Sequence, residues 1–78
     1  MNTITLKETD AAYLVEIEVN GKVVDGHSFA KADPEETGDL TDATNDGLRG
    51  MAKAFAAGFM TAMVTIKRAD FEYVDTTA

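Results

Sequence analysis

The segment from Asp33 to Phe59 carries the longest apolar repeat of helical period in the chain, and this repeat predicts one amphipathic helix. Asp33 is placed to act as the N-cap. Pro34 suits the first helical position, where the missing N–H costs nothing. The apolar stripe comprises Leu40, Thr44, Leu48, Met51, Phe55 and Phe59. Because such a stripe must be buried against another element, this segment organises the expected fold.

Glycines leave the ends of this helix open to two interpretations. Each glycine inside a helix costs about 1 kcal/mol relative to alanine, and Gly38, Gly47 and Gly50 all fall within the segment. One helix over the whole segment is expected, and a break near Gly38, with Asp39 or Thr41 recapping a shorter helix, is the alternative. At the other end, the helix stops at Gly58 or continues to about Ala62.

Two alternating segments ahead of the helix predict β-strands, over residues 3–7 and 13–19. The dipeptide Asn20-Gly21 follows the second segment and suits a two-residue type I′ turn, because both residues tolerate positive φ. The hairpin register that follows sets Ile17 opposite Val24, and it sets Glu16 opposite Asp25. Two facing carboxylates are unfavourable, so we expect either a bulge in the strand or a nearby cation such as Lys7.

A last strand is predicted over residues 63–67 and 71–74, with a bulge near Ala69-Asp70. The whole chain, residues 1–78, is then a single small α+β domain. Its antiparallel sheet has the order β-β-β-α-β, and one amphipathic helix packs on one face of that sheet. One helix cannot cover four strands, so the predicted register leaves Leu14, Val23 and Phe29 on an uncovered face that a homodimer would bury.

Charge is distributed unevenly along the chain. The formal net charge is −7, and residues 33–48 contain six acids and no Lys or Arg. Such a surface repels nucleic acid and attracts basic protein surfaces, so direct nucleic-acid binding is not expected. The absence of cysteine, of a signal-like N-terminus and of a long apolar run predicts a soluble cytoplasmic protein without disulfides or a membrane segment.

Residues suited to catalysis or metal binding are few. His27 is the only histidine, and Ser28 beside it has no organised base, so we expect no catalytic site, cofactor or metal. The run from Asp42 to Gly47 approaches the pattern of a calcium-binding loop. The twelfth position of that pattern requires a bidentate Glu, and Lys53 stands there instead.

The carboxylates of the predicted helix are the candidate partner-binding residues: Glu35, Glu36, Asp39, Asp42 and Asp46. Steps of about 5 to 6 Å between such side chains on one helix face resemble the spacing of phosphates along a nucleic-acid strand. Nucleic-acid mimicry toward a basic protein groove is therefore one hypothesis. The alternative is a solvated helix face that complements the helix dipole and keeps a small protein in solution.

The stretch from Thr3 to Pro34 contains TLKET, then YLVEIEVNGKVVDG and KADPEE, ahead of an alanine-rich helix. In pattern and size it resembles the small phage-encoded anti-CRISPR inhibitors of type I systems, several of which combine a short strand and a hairpin with one helix. The resemblance implies a non-enzymatic inhibitor that acts in the host cytoplasm on a nucleic-acid-binding effector complex. A small homodimeric structural or assembly module is the alternative expectation.

Overall fold

A computed structural model describes residues 2–65 and 70–77 of the chain. Within these residues the chain forms four β-strands, two α-helices and a short 3₁₀ segment. In chain order these are β1 (Thr3–Glu8), β2 (Ala12–Val19), β3 (Lys22–Ala30), α1 (Pro34–Thr37), the 3₁₀ segment (Gly38–Leu40), α2 (Thr41–Thr65) and β4 (Glu72–Asp75).

The protein has the predicted α+β fold, in which one long helix packs on a four-stranded sheet of order β3-β2-β1-β4. The first three strands pair antiparallel as predicted, but β4 pairs parallel with β1, so the sheet is mixed. The reason is the crossover. Because α2 returns the chain across the sheet, β4 re-enters in the direction of β3, which is also the direction of β1.

The turn between β2 and β3 has the predicted geometry, with φ of 54° at Asn20 and 80° at Gly21. Glu18 pairs with Val23 as expected, but Ile17 pairs with Asp25, which leaves Val24 as an extra residue in β3. This bulge removes the predicted contact between two carboxylates, because Gly26 now stands opposite Glu16.

Because of the bulge, the predicted homodimer face is wrong at one residue, Phe29. A shift of one residue moves every later side chain of β3 to the other side of the sheet. Phe29 therefore pairs with Tyr13 and packs on the helix-covered side, and it does not belong to the uncovered face. Leu14 and Val23 do lie on that outer side, opposite Ser28 and Glu18, and Val23 is 50% exposed.

The core lies between α2 and the inner side of the sheet. Ala52 and Ala56 are fully buried on the helix. The strands contribute four side chains that are at most 1% exposed: Ile4, Leu6, Val15 and Ile17. Of the predicted apolar stripe, Leu48, Phe55 and Phe59 pack on this core. Met51 does not, because the helix face nearest the sheet is centred on the two alanines, and it is 58% exposed. Leu40 does not either, because it lies in the 3₁₀ segment before α2, and it is 66% exposed.

The helical segment is broken at Gly38, as in the alternative interpretation. Gly38 has φ of 52° and ends α1, and α2 begins at Thr41. At its other end α2 runs to Thr65, beyond the predicted ends. The prediction of strand for residues 63–65 is therefore wrong. The β-branched Val64 and Thr65 favour strands locally, but they continue a helix already formed. Ile66 and Lys67 lie outside the described residues.

We expect two glycine-to-alanine substitutions to change the free energy of unfolding in opposite directions. Gly21→Ala forces a side chain into positive φ at the hairpin turn and should destabilise the protein by about 1 kcal/mol. Gly47→Ala meets no atom within 4 Å in the middle of α2 and should stabilise it by up to about 1 kcal/mol. Urea denaturation followed by circular dichroism measures both changes. A stable Gly21→Ala variant would contradict the description of the turn.

Candidate protein-binding surface

Five carboxylates surround the start of α2, and we refer to them as the acidic surface: Glu35, Glu36, Asp39, Asp42 and Asp46. All five residues are exposed. The segment is anchored at its start by Asp33, whose carboxylate accepts a hydrogen bond of 2.9 Å from the backbone N–H of Glu35. It is anchored again by Asn45, whose side-chain oxygen accepts a hydrogen bond of 2.8 Å from the N–H of Ala32.

The break at Gly38 changes the expected spacing of these acids. Glu35 and Glu36 lie on α1, Asp39 lies on the 3₁₀ segment, and Asp42 and Asp46 lie on α2. A single regular row of five carboxylates is therefore not formed. Only Asp42 and Asp46 keep the separation of one helical turn that resembles neighbouring phosphates. The acidic surface presents a dense negative charge, and its geometry is not that of an extended nucleic-acid strand.

Lysine and arginine side chains do not compensate the acidic surface within residues 2–65 and 70–77. Lys7 pairs with Glu16 at 2.5 Å, and Lys31 pairs with Glu8 at 2.6 Å. These contacts lie on the sheet and its connecting turns, and each carboxylate raises the pKa of its lysine. Since these two lysines are held elsewhere, they do not neutralise the negative charge at the start of α2.

The basic residues of α2 have a structural role that the sequence did not reveal. Arg49 and Lys53 lie on the same helix as Asp42 and Asp46, but both approach Asp75 of β4, at 3.7 Å and 3.4 Å. The Arg49 Nε also donates a hydrogen bond of 2.7 Å to the Thr77 hydroxyl. These contacts attach the helix to the short final strand. An aspartate far along the chain gave no local signal of this pairing.

Asp75 accepts two hydrogen bonds from Thr77, one from the hydroxyl at 2.6 Å and one from the backbone N–H at 2.8 Å. These bonds hold the pKa of the Asp75 carboxyl below its usual range, and Lys53 lowers it further. Asp75 is therefore ionised in the folded state at neutral pH and acts as an acceptor at the junction of α2 and β4.

Leu40 lies within the acidic surface, between Asp39 and Asp42 in sequence, and it is 66% exposed. A large exposed apolar side chain that charged residues flank in the sequence has the composition of a small interface, with an apolar centre and a polar rim. The helical spacing of apolar residues placed Leu40 in the buried stripe, so its exposure was not predicted. The break at Gly38 explains the difference, because Leu40 lies before the first turn of α2.

The remaining candidates do not assemble into a reactive site. His27 lies on the helix side of the sheet, where its ring centroid is 4.3 Å from that of Phe55. Ser28 is the next residue of the strand and therefore lies on the opposite side. The run from Asp42 to Gly47 is part of α2, so it does not form the loop that a calcium site of this pattern requires.

A shallow groove of about 330 Å³ lies near the end of α2, lined by Ala57, Met60, Thr61, Val64, Thr65 and Tyr73. Burial raises the pKa of the Tyr73 hydroxyl, which has no hydrogen-bond partner among the described residues. The groove has no charged side chain in its lining. It therefore offers apolar contact and two threonine hydroxyls, without paired acid and base groups.

The chain matches no family model, no curated protein and no solved structure in the comparisons made. Over the parts of the chain that the structure describes, no helix combines the length and apolar character needed to cross a membrane.

We expect Asp75→Asn to destabilise the protein by about 1 kcal/mol at pH 7, because it weakens contacts with Arg49, Lys53 and Thr77. The folded pKa of Asp75 lies below the unfolded value, so its contribution is present above about pH 4 and is lost as the pH falls through the folded pKa. Urea denaturation across this pH range should show that the difference in the free energy of unfolding between the variant and the native protein becomes smaller in acid.

The matched control is Asp70→Asn, which changes an exposed acid that forms no ion pair with the described residues. This variant should leave the pH dependence of the free energy of unfolding as it is in the native protein. Equal profiles for the Asp75 and Asp70 variants would contradict the proposed attachment of β4.

Proposed function

We propose that this protein is a non-enzymatic binding inhibitor whose acidic surface docks on a basic protein surface that normally holds nucleic acid. The observation that supports this proposal is the segregation of charge. Five exposed carboxylates lie together around the start of α2, while Lys7, Lys31, Arg49 and Lys53 pair with acids elsewhere.

Electrostatics determines the class of partner. A surface of this sign accelerates encounter with a basic partner and repels duplex or single-stranded nucleic acid. Grooves that bind nucleic acid are lined with Lys and Arg, so they offer the complementary surface. An inhibitor that occupies such a groove needs no reaction of its own, because occupation alone excludes the nucleic acid.

Leu40 would supply apolar contact at the centre of the docked surface. Binding energy at protein interfaces is concentrated in a few well-packed side chains, and charged rims contribute mainly to rate and specificity. A leucine that is 66% exposed in the free protein can bury its side chain against a partner. The carboxylates would then orient the protein on the basic groove.

The narrower form of the proposal is an anti-CRISPR protein of phage origin that acts in the host cytoplasm on a type I effector complex. It rests on the resemblance of residues 3–34 to inhibitors of this kind. The basic channels of such complexes, which hold nucleic acid, are the surface that the acidic residues would occupy. Neither a cofactor nor a metal enters this mechanism.

A homodimeric structural or assembly module is the second candidate. The observation that favours it is the exposure of Val23 and Val24 on β3, at 50% and 58%, because β3 is an edge strand of the sheet. In this case the acidic surface would only keep the protein in solution. The two candidate functions can be distinguished by replacing the acids with lysine, which should weaken partner binding by an inhibitor and should have little effect on a structural module.

The decisive experiment measures DNA binding by a purified type I effector complex in an electrophoretic mobility assay, with increasing amounts of this protein. The proposal predicts that the native protein displaces the DNA and that this effect weakens at high salt. DNA binding that is unaffected by an excess of the native protein would reject the anti-CRISPR form. Affinity capture from a bacterial lysate treated with nuclease would then test other basic partners.

The triple variant Asp39→Lys, Asp42→Lys, Asp46→Lys should reduce affinity for the partner at least about a hundredfold, since opposite charges are replaced by like charges. The matched control places the same change of charge elsewhere, at exposed acids outside the acidic surface: Asp10→Lys, Asp70→Lys and Glu72→Lys. Calorimetric titration with the identified partner measures both. An equal loss of affinity in the two triple variants would show that the net charge of the protein matters and that the position of the acids does not.

Leu40→Ala should weaken partner binding by about 1 to 2 kcal/mol and leave the free energy of unfolding within about 0.5 kcal/mol of the native value, because the side chain is exposed in the free protein. Met51→Ala is the matched control, since Met51 is a similarly exposed apolar residue farther along α2. Unchanged affinity of the Leu40 variant would remove this residue from the interface.

A further inference from the structure

We propose that the outer edge of β3 is a homodimer interface, at which two copies of the chain pair β3 antiparallel to form one continuous eight-stranded sheet. β3 is the longest strand described, from Lys22 to Ala30, and it lies at one end of the sheet order. No other strand within residues 2–65 and 70–77 pairs with its outer edge. Such an edge is a template for another strand.

The hydrogen bonds show which backbone groups of β3 point outward. The N–H of Lys31 donates to the Ala11 carbonyl at 2.8 Å, and residues of an antiparallel strand alternate between bonding to one side and facing the other. By this alternation His27 and Phe29 bond to β2, while Gly26, Ser28 and Ala30 direct their N–H and C=O groups away from the sheet.

The environment of Gly26 agrees with this assignment. Its N–H donates to the carboxylate of the preceding residue, Asp25, at 2.8 Å. A side chain therefore serves as a local acceptor for an outward N–H in the single chain. A second strand would replace this acceptor with a backbone carbonyl and would free the carboxylate for another contact.

In one antiparallel register, β3 is complementary to β3 of a second copy. The bulge at Val24 interrupts the regular alternation, so the regular part of the edge runs from Asp25 to Lys31. A two-fold axis at Ser28 then sets Gly26 against Ala30 of the second copy. It sets Asp25 against Lys31 of that copy, which joins opposite charges at both ends of the pairing.

The same register sets His27 against Phe29 of the second copy, on the side of the sheet that carries α2. Both rings already contact Phe55, with centroids at 4.3 Å and 6.0 Å. The dimer would therefore join two aromatic clusters across the axis, as cross-strand aromatic pairs do in sheets. Both copies of α2 would lie on the same face of the extended sheet.

Exposed apolar side chains are concentrated at this edge. Val23 and Val24 lie on β3 itself, at 50% and 58% exposure. Met51 is 58% exposed and lies one helical turn before Phe55, so it faces the same side of α2. The edge strand also carries both a lysine and an aspartate, Lys22 and Asp25, so local charge repulsion does not oppose its approach to a second copy.

The test is the association constant of the full chain, measured by analytical ultracentrifugation from micromolar to millimolar concentration. Ser28→Pro removes only an outward N–H, and edge strands tolerate proline at such positions. Each dimer would lose two hydrogen bonds, so the association constant should fall by about tenfold or more. Ser28→Thr keeps the N–H and should associate as the native protein does.

A monomeric native protein over the whole range would overturn the proposal. A dimer that is equally stable in the native protein and in a folded Ser28→Pro variant would overturn it too, because another surface would then carry the association.

Cysteine substitution provides a test that does not depend on the proline variant. The natural chain has no cysteine, so each introduced thiol is the only one present. Ser28→Cys places two thiols at the two-fold axis and should form a disulfide-linked dimer under mild oxidation, since paired strand residues have Cα atoms about 5.5 Å apart. Thr61→Cys, on the exposed side of α2, should remain largely unlinked. Equal linking of the two variants would overturn the proposed register.

Discussion

The close approach of α2 to the sheet is the contact on which the rest of the structure depends. Ala52 and Ala56 have no side-chain atoms beyond Cβ, so the helix backbone lies close above Ile4, Leu6, Val15 and Ile17. The larger side chains of Leu48, Phe55 and Phe59 pack around this contact. Because only one face of the sheet is covered, the buried residues of both layers meet at this single interface.

Local signals were sufficient to predict much of the fold. Asn20-Gly21 predicted the turn, and the alternation of Tyr13, Val15 and Ile17 predicted the buried side of β2, because both depend on neighbouring residues. The bulge at Val24 and the parallel pairing of β4 depend on the packing of the whole sheet. The facing carboxylates of Glu16 and Asp25 indicated a bulge without giving its position, and the parallel pairing of β4 has no signature in a short stretch of sequence.

The sequence predicted which residues make up the acidic surface, but it predicted their arrangement in space less well. The exposure of Asp39, Asp42 and Asp46 follows from charge alone, since unpaired carboxylates are costly to bury. The pairing of Arg49 and Lys53 with Asp75 joins residues that are distant in the chain, and only the folded arrangement shows it. The contact frees the acidic surface from the nearest cations of its own helix.

The bulge in β3 makes the strand tolerant of a change in length at one residue. Loss of Val24, the extra residue, would restore an uninterrupted two-residue alternation after the turn, because Val23 and Asp25 already stand opposite the neighbouring residues Glu18 and Ile17. His27 and Phe29 would keep their partners in β2 and stay beneath α2. Loss of a residue beyond the bulge, such as Ser28, would instead shift the strand by one residue and change the side of the sheet on which the following residue lies. Lineages that carry this fold should therefore vary in length at position 24 more readily than within residues 25–29.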